Sequence, residues 1–191
     1  MRPLLRRGGG SDGRTEKIID EAQRRSREPV KTGEVCPTDL AAVVANNKSG
    51  EPTPFAMRWG YMLNKKPIIN ARSETAAEKS LFKDGMTQRR CLIPASWYFE
   101  WEKRGKDRIK YAIAPEGAGL IYLAGTYRKE SDTGAASFVI LTRPAAPGIA
   151  FIHDRMPAIL SVELGRAWLD PHNDPREILA ACEERMAFRV A

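Results

Sequence analysis

Short apolar runs broken by turn residues carry most of this chain, and their spacing predicts its elements. In TEKIIDEAQRR, Ile18, Ile19 and Ala22 fall on one side at helical spacing, which predicts a helix over 16–26 with Thr15 as N-cap. Pro29, Gly33 and Pro37 make 28–38 a loop. LAAVVAN (40–46) and AMRWGYM (56–62) read as strands, separated by the breaker KSGEPTP. SETAAEKSLF (73–82) reads as a helix with Ser73 as N-cap and Leu81 and Phe82 facing inward. Strand-like runs follow at 89–93, 97–102, 109–113, 120–127, 138–143 and 157–160. Helices are expected over 162–169 and 175–184, the second with Pro175 near its first turn.

The opening MRPLLRRGGGSDG has three consecutive glycines and reads as a loose basic tail over 1–14. The rest, 15–191, reads as one domain. The strand-rich middle does not alternate βαβα, so the expected class is α+β, not a doubly wound sheet.

One run disturbs this apolar picture. CLIPASWYFEW (91–101) has the composition of a buried strand, yet it carries Glu100 between Phe99 and Trp101. Burying a charge costs several kcal/mol or raises its pKa until it neutralises. Period-2 alternation puts Trp97, Phe99 and Trp101 on one face and Tyr98 and Glu100 on the other. If the aromatic face packs inward, Glu100 points to solvent.

Composition narrows the class. The chain has 191 residues, 42% hydrophobic and 29% charged, enough for a core without staples. Cys36, Cys91 and Cys182 are isolated and form no CxxC pair, which argues against a zinc site or a disulfide framework. No apolar run reaches transmembrane length and no secretory h-region follows the start, so a cytoplasmic protein with no membrane association is expected. The net charge is +7, and residues 1–31 hold nine Lys/Arg against five Asp/Glu, which is +4 of it. A polyanion is the natural partner of such a chain; a solvated basic surface is the plainer account.

Three polar clusters interrupt apolar runs: IINARSET (68–75), WYFEW (97–101) and FIHDRMP (151–157). Each has an ordinary explanation, respectively turn and cap chemistry, alternation, and a surface ion pair. Together they offer an amide, a carboxylate, an imidazole and two guanidiniums, a set suited to acid–base work near neutral pH. Aromatics next to arginines suit single-stranded nucleic acid. No Gly-rich phosphate loop, HExxH or GxSxG occurs.

MRWGY, INARSETA, FK, RRCLIPASWYFEW, FVILTRPA and IHDRMPAIL, in that order, resemble the SOS-response-associated peptidase (SRAP) family, and GEVCPTD (33–39) resembles its early Pro-containing block. The resemblance runs from about Gly33 to the end. It implies a compact α+β domain with a bifurcated, barrel-like, mostly antiparallel sheet and short flanking helices. It implies recognition of abasic sites in single-stranded DNA by covalent attachment to the sugar aldehyde, with no metal or other cofactor and a monomeric protein. The family's catalytic residues fall on Asn70, Glu100 and His153. Its DNA contacts fall on Pro37, Trp59, Arg72, Trp101 and Arg155.

The family nucleophile is a cysteine directly after the initiator Met, whose amine and thiol together close a thiazolidine. This chain has Arg2 there and no cysteine before Cys36. An internal thiol offers only a hemithioacetal, whereas the Met1 α-amine offers a Schiff base. Three functions follow for comparison: abasic-site processing by Schiff-base or crosslinking chemistry, single-stranded DNA binding without catalysis, and peptidase action on other proteins.

Overall fold

A computed structural model of the chain describes residues 1–5 and 13–191. In chain order its elements are β1 (Arg2–Leu5), α1 (Arg14–Arg24), β2 (Gly33–Glu34), β3 (Leu40–Asn46), β4 (Pro52–Trp59), β5 (Tyr61–Leu63), β6 (Lys66–Ile68), β7 (Asn70–Arg72) and α2 (Ser80–Gln88). Then come β8 (Arg90–Ala95), β9 (Trp97–Arg104), β10 (Asp107–Pro115), β11 (Ile121–Lys129), β12 (Ala136–Pro144), a 3₁₀ turn (Pro147–Ile149), β13 (Arg155–Pro157), β14 (Ile159–Leu160), α3 (Val162–Leu169), α4 (Pro175–Ala180) and β15 (Met186–Val190).

The class is α+β, as expected. Strands β12, β4, β3, β8 and β11 pair in that order, and β11 pairs back onto β12, so this sheet closes into a ring. β7, β13 and β14 are attached to it. Two joints onto β12 are parallel, from β4 and from β7; the other pairings are antiparallel. A second sheet has the order β15-β10-β9-β1-β2, and β5 and β6 form a separate hairpin. The chain passes from the ring to the second sheet between β8 and β9, at Ser96.

The ring strands are apolar on both faces, which is why LAAVVA and FVIL read as continuous runs and not as alternation. Val43, Ile93, Leu123 and Ile140 point one way, into a core shared with Tyr98, Tyr111 and Ile113 of the second sheet. Ala42, Leu92, Val139 and Leu141 point the other way, beneath Ile18, Ile19, Met86 and Trp168 of the helices. Gly125 stands where the ring is tightest: a Cβ there would lie 2.5 Å from Ile93 Cδ1 and 2.7 Å from the Val139 carbonyl oxygen.

Several boundaries differ from the pattern. Residues 6–12 of the expected tail lie outside the described residues. Residues 2–5 are not tail: they form β1, inserted between β9 and β2. The helix expected over 73–82 begins at Ser80, after turns at 73–79. Its buried face is Phe82, Gly85 and Met86, whereas SETAAEK has no large apolar residue to bury. Lys79, not Ser73, is the N-cap. Likewise Gly13, with φ 68°, caps α1, and Thr15 is buried in its first turn. β15 occupies a segment for which the pattern predicts no element. No helix among the described residues is long and apolar enough to cross a membrane.

Candidate functional site

Strand β9 is turned opposite to the simplest expectation. Trp97, Phe99 and Trp101 lie on the outer face of the second sheet, and Tyr98 and Glu100 point inward. The outer rings need no core because basic side chains cover them. The Arg2 guanidinium lies 5.1 Å from the Trp101 ring centre, and Lys110 Nζ lies 3.8 Å from that of Phe99. Glu100 is therefore inside, 8% exposed. It is not left in apolar walls: the Met1 α-ammonium donates to its Oε1 at 3.2 Å and lies 3.2 Å from Oε2. Strand β1 delivers this partner, since Arg2 pairs with Phe99 and sets Met1 next to Glu100.

Asn70 and Arg72 sit at the two ends of β7, whose register against β12 is fixed by Ile140↔Asn70 and Thr142↔Arg72. Asn70 Oδ1 is buried with no hydrogen-bond partner among the described residues. Arg72 is exposed and has no ion-pair partner among them. The Arg155 backbone N–H donates to His153 Nδ1 at 3.0 Å. Asp154 Oδ1 is also 3.0 Å from Nδ1, but an Nδ1 that accepts the backbone bond has no proton for a carboxylate. The backbone bond therefore assigns the neutral Nε2–H tautomer and makes Nε2 the donor. Arg155 grips Glu74 through both terminal nitrogens and donates from Nη2 to the Thr142 carbonyl at 2.6 Å. Its Nε is buried without a partner.

These groups line one cavity of about 270 Å3, formed by Met1, Asn70, Arg72, Glu100, Thr142, His153, Arg155 and Met156. It offers an orphan acceptor (Asn70 Oδ1) and an orphan donor (Arg155 Nε), both buried. Buried polar atoms without partners are rare in folded proteins, and here they suit a small polar ligand. Among the described residues the only carboxylate lining the cavity, Glu100, is matched by the ammonium, and Arg155 is matched by Glu74. Arg72 therefore leaves it positive, as binding a phosphodiester requires. A larger groove of about 810 Å3 lies by Tyr61 and Tyr127, but its arginines are already paired, Arg89 with Asp84 and Arg128 with Glu130.

Five of the expected site residues thus converge: Asn70, Arg72, Glu100, His153 and Arg155. Three lie outside the cavity lining. Trp59 is fully buried, stacked at 6.4 Å on Phe138 with its indole N–H on the Ile69 carbonyl. It presents no ring face to DNA, and its place is in the core. Pro37 is half-buried in the turn before β3, and Trp101 is half-exposed on the outer sheet face. Thr142 and Met156 line the cavity but gave no signal in the sequence, being unremarkable members of FVILTRP and HDRMP. No cysteine lines it: Cys36 is half-buried elsewhere, and Cys91 and Cys182 are buried, the latter thiol pushed up to about 11 chiefly by that burial. Among the described residues no group of three or more His, Cys, Asp or Glu is placed to hold a metal ion.

The Arg155–Glu74 clamp has a testable pH signature. Chiefly through its bonds to Arg155, the Glu74 carboxyl falls from 4.5 to about 2. A depressed carboxyl stabilises the fold above its unfolded pKa and loses that contribution as pH falls through the folded one. Wild type should therefore exceed Glu74→Gln by about 0.5–1 kcal/mol at neutral pH, a modest figure because Glu74 is 44% exposed. The gap should close between pH 4.5 and about 2. Urea melts of both proteins across that range would test this.

Comparison with known proteins follows the geometry. The family model for SOS response associated peptidase (SRAP) matches residues 11–190. The chain is 35% identical over 144 residues to the abasic site processing protein YoqW of Bacillus subtilis, covering 69% of this chain and 62% of that protein. It is 37% identical over 116 residues to the abasic site processing protein YedK of Escherichia coli, covering 58% of this chain and 52% of that one. It thus spans between about half and three-fifths of these relatives. A crystal structure of a phage-related protein from Bordetella bronchiseptica has the same fold, with TM-score 0.76 and 22% identity over 100% of this chain and 93% of that one.

Proposed function

The chain belongs to the SOS response associated peptidase family, and from that membership we propose that it recognises and processes abasic sites in single-stranded DNA. The observation that carries the chemistry is the Met1 nitrogen held 3.2 Å from both Glu100 oxygens, in a cavity that also holds His153 and the orphan Asn70 amide oxygen.

An abasic sugar in its open form presents an aldehyde, and a primary amine is the group that condenses with it. Glu100 takes a proton from the Met1 ammonium. The freed lone pair attacks C1′, the C–N bond forms, and the carbonyl π pair moves to oxygen, which accepts a hydrogen bond from His153 Nε2–H and takes the proton back from Glu100. Glu100 then takes a second proton from the nitrogen and passes it to the hydroxyl, which leaves as water and gives an iminium. Asn70 Oδ1 accepts a hydrogen bond from a sugar hydroxyl, Arg72 holds a flanking phosphate, and Arg155 offers its Nε as a further donor. With no thiol lining the cavity, ring closure to a thiazolidine is not available, so the linkage is hydrolysable. Peptidase action on other proteins has no observation in its favour beyond the family name.

The test mixes the protein with a single-stranded oligonucleotide bearing one abasic site, with and without borohydride, after intact mass has confirmed Met1 as the first residue. The expected result is an adduct trapped by borohydride and mapped to the Met1 nitrogen, absent after Nα-acetylation. An adduct stable without borohydride would identify a different nucleophile. No adduct in either arm would leave a non-catalytic binding module.

A further inference from the structure

The cavity occupies one side of β9; the other side carries a separate arrangement. Trp97, Phe99 and Trp101 stand in a row on the outer face of the second sheet. Each has a cation over its ring: Arg189 at 5.3 Å from Trp97, Lys110 at 3.8 Å from Phe99, and Arg2 at 5.1 Å from Trp101. The three cations come from three different strands, β15, β10 and β1, which flank or follow β9 in the sheet. Glu34 is the only carboxylate among the described strand residues of this face, and it is already held by Arg2 and Lys110. The row begins at the cavity, because Arg2 follows Met1 and Trp101 follows Glu100.

We propose that this face is a track for the undamaged nucleotides that flank the lesion in single-stranded DNA. Bases would lie against the three rings and phosphates on the cations above them. The inference rests on the abasic-site reading for the strand's identity but not for the surface. The chemistry is that of single-strand binders: aromatic faces accept any base, and cations follow the backbone. Rings on alternate strand residues recur about every 7 Å, twice the 3.4 Å step of stacked bases in a duplex. The spacing therefore suits a strand drawn out with its bases apart. In the free protein the cations cover these rings, Phe99 being buried and Trp97 and Trp101 half-buried; cations that move to phosphates would open the ring faces, and arginine planes themselves stack on bases. The plainer account is that basic stems merely shelter an open sheet face.

The two accounts separate by oligonucleotide length. Undamaged oligothymidines of about 4 and about 16 nucleotides span the range that one small fold can occupy. Wild type should bind the long one more tightly, with the steeper salt dependence. Trp97→Ala with Arg189→Ala should weaken the long oligomer about tenfold and lower its salt slope by about one unit. It should leave the short oligomer, and the borohydride-trapped yield on a short abasic strand, unchanged. Arg189→Glu alone, at an exposed position, should weaken long-strand binding further and keeps the test sound if Trp97→Ala unfolds. Unchanged long-strand binding in these variants would overturn the track, as would equal loss at both lengths. Absence of any adduct in wild type, with the length effect intact, would sink the abasic-site chemistry and leave the track standing.

Discussion

Glu100→Gln should slow formation of the borohydride-trapped adduct by roughly 10²–10⁴-fold, the usual contribution of a positioned acid or base. The substitution keeps shape and removes charge. Gln Oε1 can still accept a hydrogen bond from the Met1 nitrogen, so β1 should stay in place, but an amide cannot take the proton that frees the lone pair. Glu100 is only 8% exposed and has the ammonium on both oxygens, so water is poorly placed to substitute. Affinity for undamaged single strands should hardly change, because Arg72, Arg155 and the outer rings are untouched. The measurement is single-turnover trapping with excess protein. A wild-type rate in Glu100→Gln would remove this carboxylate from the chemistry.

Trp168→Ala should produce the largest loss of stability, about 3–5 kcal/mol, with chemistry at low temperature preserved. Trp168 is fully buried beneath α3, and its indole N–H donates to the Cys91 carbonyl at 3.0 Å and lies 3.3 Å from that of Gly125. The ring also covers Arg90, whose guanidinium lies 5.1 Å from its centre and bonds the carbonyls of Met86 and Asp170. Alanine removes the ring, the N–H and the cover over a buried cation together. At about 2–4 °C per kcal/mol for a domain of this size, the melting midpoint should fall by about 10 °C. Trp168→Phe keeps most of the volume and loses the bond, so it should cost about 1–2 kcal/mol. Calorimetry on the three proteins tests the order; equal midpoints would mean that α3 does not clamp β8 and β11.

The sequence made the site more legible than the framework that holds it. Asn70, Glu100, His153, Arg72 and Arg155 are visible because each is polar inside or at the end of an apolar run. The resemblance to a known family gave them roles. What the pattern could not supply was direction and pairing. Alternation puts the three aromatics of WYFEW on one face without saying which face is inside, and Arg2, Lys110 and Arg189 supply cover on the outside from distant positions. Trp59 next to Arg58 reads as a stacking surface until Phe138 is seen lying parallel to it. Strands β1, β2 and β15 are short edge or insertion strands whose extended form comes from their partners, and nothing in RPLL or GE announces it. The shifted start of α2 follows from the lack of a large apolar residue in SETAAEK, where Glu74 instead pairs with Arg155.

The parallel joints onto β12 have a kinetic consequence. β11 and β12 can meet as a hairpin, and so can β3 and β4, but β4 reaches β12 only by pairing Arg58 with Ser137, across nearly eighty residues of intervening chain. Contacts so distant in sequence form slowly, because loop closure must come before any pairing rewards it. β7 docks on the same strand in the same sense, so Asn70 and Arg72 reach the cavity only with that late closure. A refolding experiment should find most secondary structure regained before any aldehyde reactivity returns, with the two signals separated in time.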